Sequence, residues 1–186
     1  ARRFASLGNG TQTAALCIGG DQDPPRVAIV EQWNGSNWTE VGDLNTARSQ
    51  LASAGTSTAA LDFGGTTTTT GTTESWNESS WTETTDLNTA RQNISGNGIY
   101  TSALGFGGFV PPGNTVTGKT ESWNGSSWTE VTDLGTSRVN IGTSGISNTA
   151  ILAFGGDTFP GSNPERPNDN TESWNGSAWT EVADLN

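Results

Sequence analysis

Apolar residues along this chain recur in short runs with a period of two rather than the 3.6 of a helix. Runs such as TAALDFGG (58–65) and TAILAFGG (149–156) end in a glycine pair, which is typical of short strands buried on both faces. No run approaches the roughly 18 apolar residues that a membrane-spanning helix requires. The pattern therefore predicts an all-β chain without membrane insertion.

The same pattern returns four times. Aligned on Asn-Thr-Ala-Arg, the chain divides into the units 1–46, 47–89, 90–136 and 137–186. Each unit contains an arginine, a small-residue run, an apolar run that ends in Gly-Gly, a variable loop and a tryptophan hairpin. Four short strands in about 45 residues are typical of a propeller blade, so we interpret each unit as one blade.

All eight tryptophans flank tight turns, three of which contain Asn-Gly, a strong hairpin signal. The first of each pair ends one strand and the second begins the next: Trp33 and Trp38, Trp76 and Trp81, Trp123 and Trp128, Trp174 and Trp179. We expect each pair to lie side by side across the hairpin and to fill the space between adjacent blades. The alternative is an exposed aromatic platform on which a sugar stacks.

The glycine pair after an apolar strand, the aromatic on the third strand, the tryptophan that opens the fourth and the arginine after the next turn resemble the kelch repeat. This resemblance covers the whole chain and implies a single domain, 1–186, folded as a four-bladed kelch-like β-propeller of four-stranded antiparallel sheets. The chain departs from the family in its shorter hairpin and in having four blades rather than six or seven. Near-copy repeats of this kind resemble those of phage and environmental bacterial surface proteins.

The two ends nearly regenerate the internal DLNTAR sequence when joined, so no strand is borrowed between the termini. We expect a self-contained four-bladed disc, and the alternative is one period of a longer tandem array. The chain does not begin with methionine and lacks a signal-peptide pattern, so we interpret it as a processed product or a fragment.

Loops between the second and third strands of each unit, which we call the b–c loops, differ in length and contain all the prolines: 21–30, 66–73, 109–120 and 157–171. Rigid scaffolds commonly place recognition on such loops, although neutral variation at the surface explains them too. The candidate binding residues are Asp21, Asp23, Arg26, Thr68, Phe109, Asn114, Lys119, Phe159, Glu165 and Arg166.

Charge and composition narrow the function. A net charge of -11 disfavours nucleic acid and anionic membranes, because phosphate neutralisation needs Lys and Arg. The chain has no histidine and a single cysteine, Cys17, which we expect to be a small buried side chain. Glutamates and aspartates recur at fixed places around each hairpin, where four identical environments do not create an acid and a base. We expect these acids to act as caps, to hydrogen-bond neighbouring strands and to pair with Arg2, Arg48, Arg91 and Arg138, and the protein not to be an enzyme.

Two weaker motifs remain. DQDPP at Asp21 is a fragment of a calcium loop, so calcium is a minor alternative to the absence of any cofactor. Asn-x-Ser sequons occupy the hairpin turns at Asn34, Asn77, Asn124 and Asn175, where turn geometry explains the asparagine as well as glycosylation does.

These features predict a non-catalytic interaction propeller of an extracellular appendage or virion, such as a tail fibre or fibril. Its b–c loops would bind a receptor, a glycan or a neighbouring subunit of a larger assembly. The alternatives are a soluble lectin with one sugar site per blade and a purely structural bead of a tandem filament.

Overall fold

The computed structural model describes residues 3, 5–22, 25–158 and 168–186. Within these ranges all regular structure is β-strand, and four antiparallel sheets of four strands each follow one another along the chain. The predicted all-β fold with four-stranded blades is confirmed.

Each sheet lies inside one repeat unit, and its strands are named a to d in chain order. Blades 1 and 2 contain β1 (Ser6–Thr11), β2 (Ala14–Ile18), β3 (Val30–Trp33) and β4 (Trp38–Glu40), then β5 (Ala52–Gly55), β6 (Ala60–Phe63), β7 (Thr73–Trp76) and β8 (Trp81–Glu83). Blade 3 contains β9 (Ser95–Ile99), β10 (Ser102–Phe106), β13 (Thr120–Trp123) and β14 (Trp128–Val131), and its b–c loop carries a small hairpin of β11 (Phe109–Val110) and β12 (Thr115–Val116). Blade 4 contains β15 (Gly142–Ser147), β16 (Ala150–Phe154), β17 (Thr171–Trp174) and β18 (Trp179–Glu181).

Neighbouring blades pack face to face around the a strands. Strand β5 lies against both β1 and β9, and β9 lies against β15. The hydrophobic core is divided into three clusters, one between each pair of consecutive blades. A single blade is too thin to bury its own apolar faces, so the core forms between blades.

The glycine pairs are explained by the close approach of the next blade. Gly64 has φ of 69°, and a Cβ at that position would lie 2.8 Å from the carbonyl oxygen of Arg91 in the next blade. The N–H of Gly65 donates to that same oxygen at 2.8 Å. A side chain here would push two blades apart and strain the backbone.

The tryptophan pairs lie opposite each other across each hairpin, as predicted, with ring centroids between 5.3 and 5.6 Å apart. The second tryptophan of a pair also reaches the preceding blade. Trp128 packs 4.7 Å from Phe63, and its Nε1–H donates to Thr73 Oγ1 at 3.0 Å. Trp179 repeats this arrangement on Phe106 and Thr120.

The expected closed disc is not observed. Among the described residues, no core cluster joins blade 4 to blade 1. Trp38 of blade 1 is 48% exposed, whereas Trp81 and Trp128 are each 5% exposed. Leu185 of blade 4 is 51% exposed, whereas its equivalent Leu134 is 6% exposed. Cys17 is half-buried rather than buried, because it alternates along β2 with Leu16 and Ile18, whose side chains face the core shared with blade 2.

Candidate binding face

The connections of each blade lie on two opposite faces. On the turn face, the strand c tryptophan joins the a–b turn to the c–d hairpin through its indole N–H. The acceptors are carbonyl oxygens: Gln12 for Trp33, Ser57 for Trp76, Tyr100 for Trp123 and Asn148 for Trp174, at 2.8 to 3.1 Å. The turn face is therefore nearly the same in every blade.

On the opposite loop face, each b–c loop lies beside the connection that leads to the next blade. A leucine N–H of that connection donates to a loop carbonyl in all four blades: Leu44 to Ala28, Leu87 to Gly71, Leu134 to Gly118 and Leu185 to Asp169, at 2.9 to 3.0 Å. The described ends of all four b–c loops are thus held to the blades in the same way, although the loops differ in sequence.

Side chains link the loops of neighbouring blades. Arg26 of the first loop donates to the carbonyl of Thr67 in the second at 3.2 Å and to Ser49 Oγ at 3.3 Å. Its guanidinium also lies 3.6 Å from the carboxylate of Asp21. The first loop is therefore fixed against blade 2.

A second link joins blades 2 and 3 through Gln92. The hydroxyl of Thr69 donates to Gln92 Oε1 at 3.2 Å, and Gln92 Nε2 donates to Asn114 Oδ1 at 3.1 Å. Asn114 ends the exposed tip of the β11–β12 hairpin. On the fourth blade, Asn140 donates to Asp157 at 3.0 Å and accepts from Asn93 of blade 3 at 3.2 Å.

The predicted binding residues separate into three groups. Asp21, Arg26, Thr68 and Asn114 lie on the loop face, where Asp21 is half-buried and the other three are exposed. Phe109 is half-buried and exchanges backbone hydrogen bonds with Gln92, while Lys119 forms a 3.0 Å ion pair with Glu130. Asp23, Phe159, Glu165 and Arg166 lie outside the described residues.

Gln92 was missed by the sequence reasoning because it lies outside the b–c loops. It follows the repeated arginine, a position occupied by Arg3, Ser49 and Val139 in the other units. Variation at that position was the available signal, since the arginine directly before it is constant.

The repeated glutamates of strand c pair with the repeated arginines inside the blades. The Nη2–Oε1 distances are 2.8 Å for Arg48–Glu74, 2.9 Å for Arg91–Glu121 and 2.7 Å for Arg138–Glu172, and both partners are buried. The other oxygen of Glu121 accepts from the backbone and side chain of Asn88 in the preceding blade at 2.7 and 2.9 Å. Burial lowers the pKa of Arg91, and the carboxylate of Glu121 opposes that shift. The predicted pairing is confirmed for these three arginines, whereas Arg2 lies outside the described residues.

The aspartates that follow the hairpins have a different structural role. Their Oδ1 atoms accept the first backbone N–H of strand c at 3.1 to 3.3 Å: Asp43 from Val30, Asp86 from Thr73, Asp133 from Thr120 and Asp184 from Thr171. The glutamates of strand c and the aspartates after the hairpins therefore both hold strand c in place.

Asp62 is the exception among the acids. It is fully buried in strand b of blade 2, where blades 3 and 4 have Gly105 and Ala153. Its nearest cation is Arg48, at 3.5 Å, and neither carboxylate oxygen has a hydrogen-bond partner. Burial raises the pKa of Asp62 to about 8, against the opposing effect of Arg48.

Replacing this acid is expected to stabilise the protein in a pH-dependent way. Between pH 3.8 and about 8 the folded protein keeps a proton on Asp62 that the unfolded chain releases, so wild-type stability falls as pH rises. Asp62→Ala removes this loss, and its advantage should grow by up to about 1.4 kcal/mol per pH unit across that window. Urea unfolding of both proteins at pH 5, 6 and 7 measures it, with Glu83→Gln, an exposed acid, as the control. A stability difference that stays constant with pH would contradict the assignment.

Most tryptophan rings offer no surface to a sugar. Five of them are buried: Trp76, Trp81, Trp123, Trp128 and Trp174. Blades 2 and 3 therefore have no exposed tryptophan ring on which a sugar could stack, as a site repeated in every blade would require. The packing interpretation of these side chains is the one that the geometry supports.

The hairpin asparagines close the turns with their side chains. Asn124 Oδ1 accepts the backbone N–H groups of Ser126 and Ser127 at 2.9 and 3.0 Å, and the other three hairpins repeat this arrangement. An asparagine side chain that bonds its own backbone two residues on is a standard turn device.

Asn124→Ala should therefore lower the free energy of unfolding by about 1 kcal/mol, as loss of a comparable backbone-capping side chain does. Ser126→Ala destroys the same sequon but keeps the backbone donor, so its cost should stay below about 0.5 kcal/mol. Chemical denaturation of both unglycosylated variants separates the two roles. An equal loss in both would show that the turn does not depend on the asparagine.

In the part of the chain that the structure describes, no three acidic or cysteine side chains come together as a metal ion would require. Asp23 of the weak calcium motif is outside that part. No helix long and apolar enough to span a bilayer occurs among the described residues.

Comparison with known proteins supports the fold. No family model and no curated protein sequence matches this chain. A solved structure titled "Structure of YjhT" is similar over 99% of this chain, with a TM-score of 0.78 and 10% sequence identity. The chain spans 66% of that structure's length. At this identity the likeness concerns the fold alone, and it fits a propeller-like arrangement of four-stranded blades.

Proposed function

We propose that this chain is a kelch-like, non-catalytic binding propeller whose loop face holds a macromolecular partner. The observation that carries the proposal is the contrast between the two faces. In the described parts of the b–c loops, Arg26 fastens the first loop to the second and Gln92 the second to the third, while Asn140 joins Asp157 of the fourth to Asn93 of blade 3. A surface that is already ordered loses little entropy on binding, and this favours recognition.

The chemistry of the described part of the loop face, which includes exposed Arg26 and Asp169, suits a polar partner surface. Its exposed residues include hydroxyls, an amide and a rigid proline pair: Thr67, Thr68, Asn114, Pro111 and Pro112. Such groups suit the hydroxyls of a glycan or a polar patch of a protein. The repeated carboxylates are occupied by arginines and backbone N–H groups, which favours binding over hydrolysis.

We place this binding outside the cell, on a surface appendage or a virion. Support comes from the hydroxyl-rich, histidine-free composition and from the resemblance of the near-copy repeats to phage and bacterial surface proteins. Immunogold labelling of intact cells and particles from the source tests the location, and labelling confined to the cell interior would contradict it.

Photo-crosslinking from two matched positions tests the binding face. A photoreactive residue replaces exposed Thr115 on the loop face in one variant and exposed Thr101 on the turn face in the other. In the native source, adducts are expected from position 115 and not from position 101, and mass spectrometry of the adduct separates glycan from protein. Equal adducts from both positions, or adducts from position 101 alone, would contradict the proposal.

A further inference from the structure

Among the described residues, two blade faces have no neighbouring blade packed on them. The tryptophan face of blade 1 is formed by Ala15, Cys17, Trp33 and Trp38, and the front face of blade 4 by Leu152, Phe154, Thr171 and Leu185. Each of these side chains except Thr171 is half-buried or exposed. Their equivalents on the inner blades are buried, apart from the half-buried Trp179.

The two open faces are the two halves of one repeated interface. Between blades 2 and 3, the front face of blade 2 contributes Leu61, Phe63 and Leu87. The tryptophan face of blade 3 contributes Trp123 and Trp128. Phe154 and Leu185 occupy the places of Phe63 and Leu87, while Trp33 and Trp38 occupy those of Trp123 and Trp128. One end of the chain thus offers the surface that the other end lacks.

A hydrogen-bond donor on one open face and an acceptor on the other also correspond to the repeated interface. In the inner interfaces, the first threonine of strand c accepts the indole N–H of the next blade, as Thr73 does from Trp128 and Thr120 from Trp179. Thr171 Oγ1 is the next acceptor in this series, and it is buried without a hydrogen-bond partner. Trp38 carries the matching donor, and it lies exposed.

The indole N–H finds this acceptor only where strand c begins with a threonine. Val30 stands at the equivalent position in blade 1, and the indole nitrogen of Trp81, which belongs to that interface, is buried without a partner. Thr171 Oγ1 is already covered within this chain, so a docking tryptophan face must uncover it before the indole N–H reaches it. The bond would then relieve the cost of an unsatisfied buried hydroxyl.

We propose that a second copy of this chain docks head to tail, with the tryptophan face of blade 1 on the front face of blade 4 of its neighbour. The second copy is the occupant because the site requires a Trp hairpin with an indole donor, which this chain itself presents. The contact is heterologous, so each copy keeps one free face and association continues beyond a pair. It uses neither the loop face nor its ligand, and it is independent of the proposed function.

Net charge sets the conditions for this association. Each copy carries a formal charge of -11, so the copies repel one another at low ionic strength. Salt screens this repulsion and leaves the apolar contact, so higher salt should strengthen association.

Sedimentation velocity with complementary variants tests the contact. The wild-type chain is expected to sediment above its monomer mass of 19.3 kDa as concentration and salt rise. Trp38→Glu disables one face and Leu185→Glu the other, so each variant alone should remain a monomer. Mixed together, the two variants keep one intact pair of faces and should form a one-to-one complex and nothing larger.

Ile146→Glu is the matched control, because Ile146 is an exposed apolar residue of the turn face outside both docking faces. It should associate as the wild type does. Circular dichroism verifies the fold of every variant, and Trp38→Ser with Leu185→Ser is a second, uncharged pair. A wild-type chain that stays at monomer mass throughout, or a variant mixture that forms no complex, would overturn the proposal.

Discussion

Arg91→Met is expected to lower the free energy of unfolding by about 3–5 kcal/mol, because it leaves the buried carboxylate of Glu121 without its cation. The guanidinium also donates to the carbonyl oxygen of Gly107, so its removal leaves backbone acceptors unsatisfied as well. Chemical denaturation monitored by tryptophan fluorescence measures the loss.

Lys119→Met supplies the control for this prediction. The Lys119–Glu130 pair has a similar N–O distance of 3.0 Å, but Lys119 is only half-buried and Glu130 is exposed, and ion pairs at the surface contribute about 0–1 kcal/mol. The double variant Arg91→Met with Glu121→Gln should recover part of the loss, because no buried charge remains unpaired. If Arg91→Met costs no more than Lys119→Met, the buried pairs do not hold the blades together.

Trp128→Ala should cost about 3–5 kcal/mol, since it removes a large side chain from the interface between blades 2 and 3. It also removes the contact with Phe63 and the hydrogen bond to Thr73. Trp38→Ala makes the same change at the same place in the repeat, where the ring is exposed. In dilute solution its cost should stay near 0.5 kcal/mol, as at other surface positions.

Thermal or urea unfolding of the two variants at low concentration measures this contrast. Equal losses would mean that Trp38 is already buried against another blade in solution. That result would conflict with the open arrangement of blades 1 and 4 described above.

The strands and their pairing followed from the sequence because they depend on local rules. A period of two, glycine pairs and tight turns between tryptophans determine where a strand begins and which residues face each other across a hairpin. The pairing of Trp123 with Trp128 is an example, because the length of the hairpin leaves little choice of register. Because the sequence repeats four times, the same local rules apply to all four blades.

The sequence did not predict which of several equivalent residues in a unit forms a given contact. Each unit offers acids at three repeated positions, and the sequence did not say which one pairs with arginine. Glutamate of strand c is chosen because its place in the sheet is buried beside the guanidinium, whereas Glu130 on strand d faces solvent. The isolated acid Asp62 and the bridging residue Gln92 have no counterpart in the repeat, so repetition gave no guide to them.

By itself, the sequence determined the blade: its four strands, its tryptophan hairpin and the face on which its loops vary. Closure was decided by the tertiary structure. The repeat specifies which residues meet between two blades, but the angle between those blades depends on the volumes of all the side chains packed there. Four such angles must add to a full turn for a disc to close, and here the faces of blades 1 and 4 that carry Trp38 and Leu185 remain open.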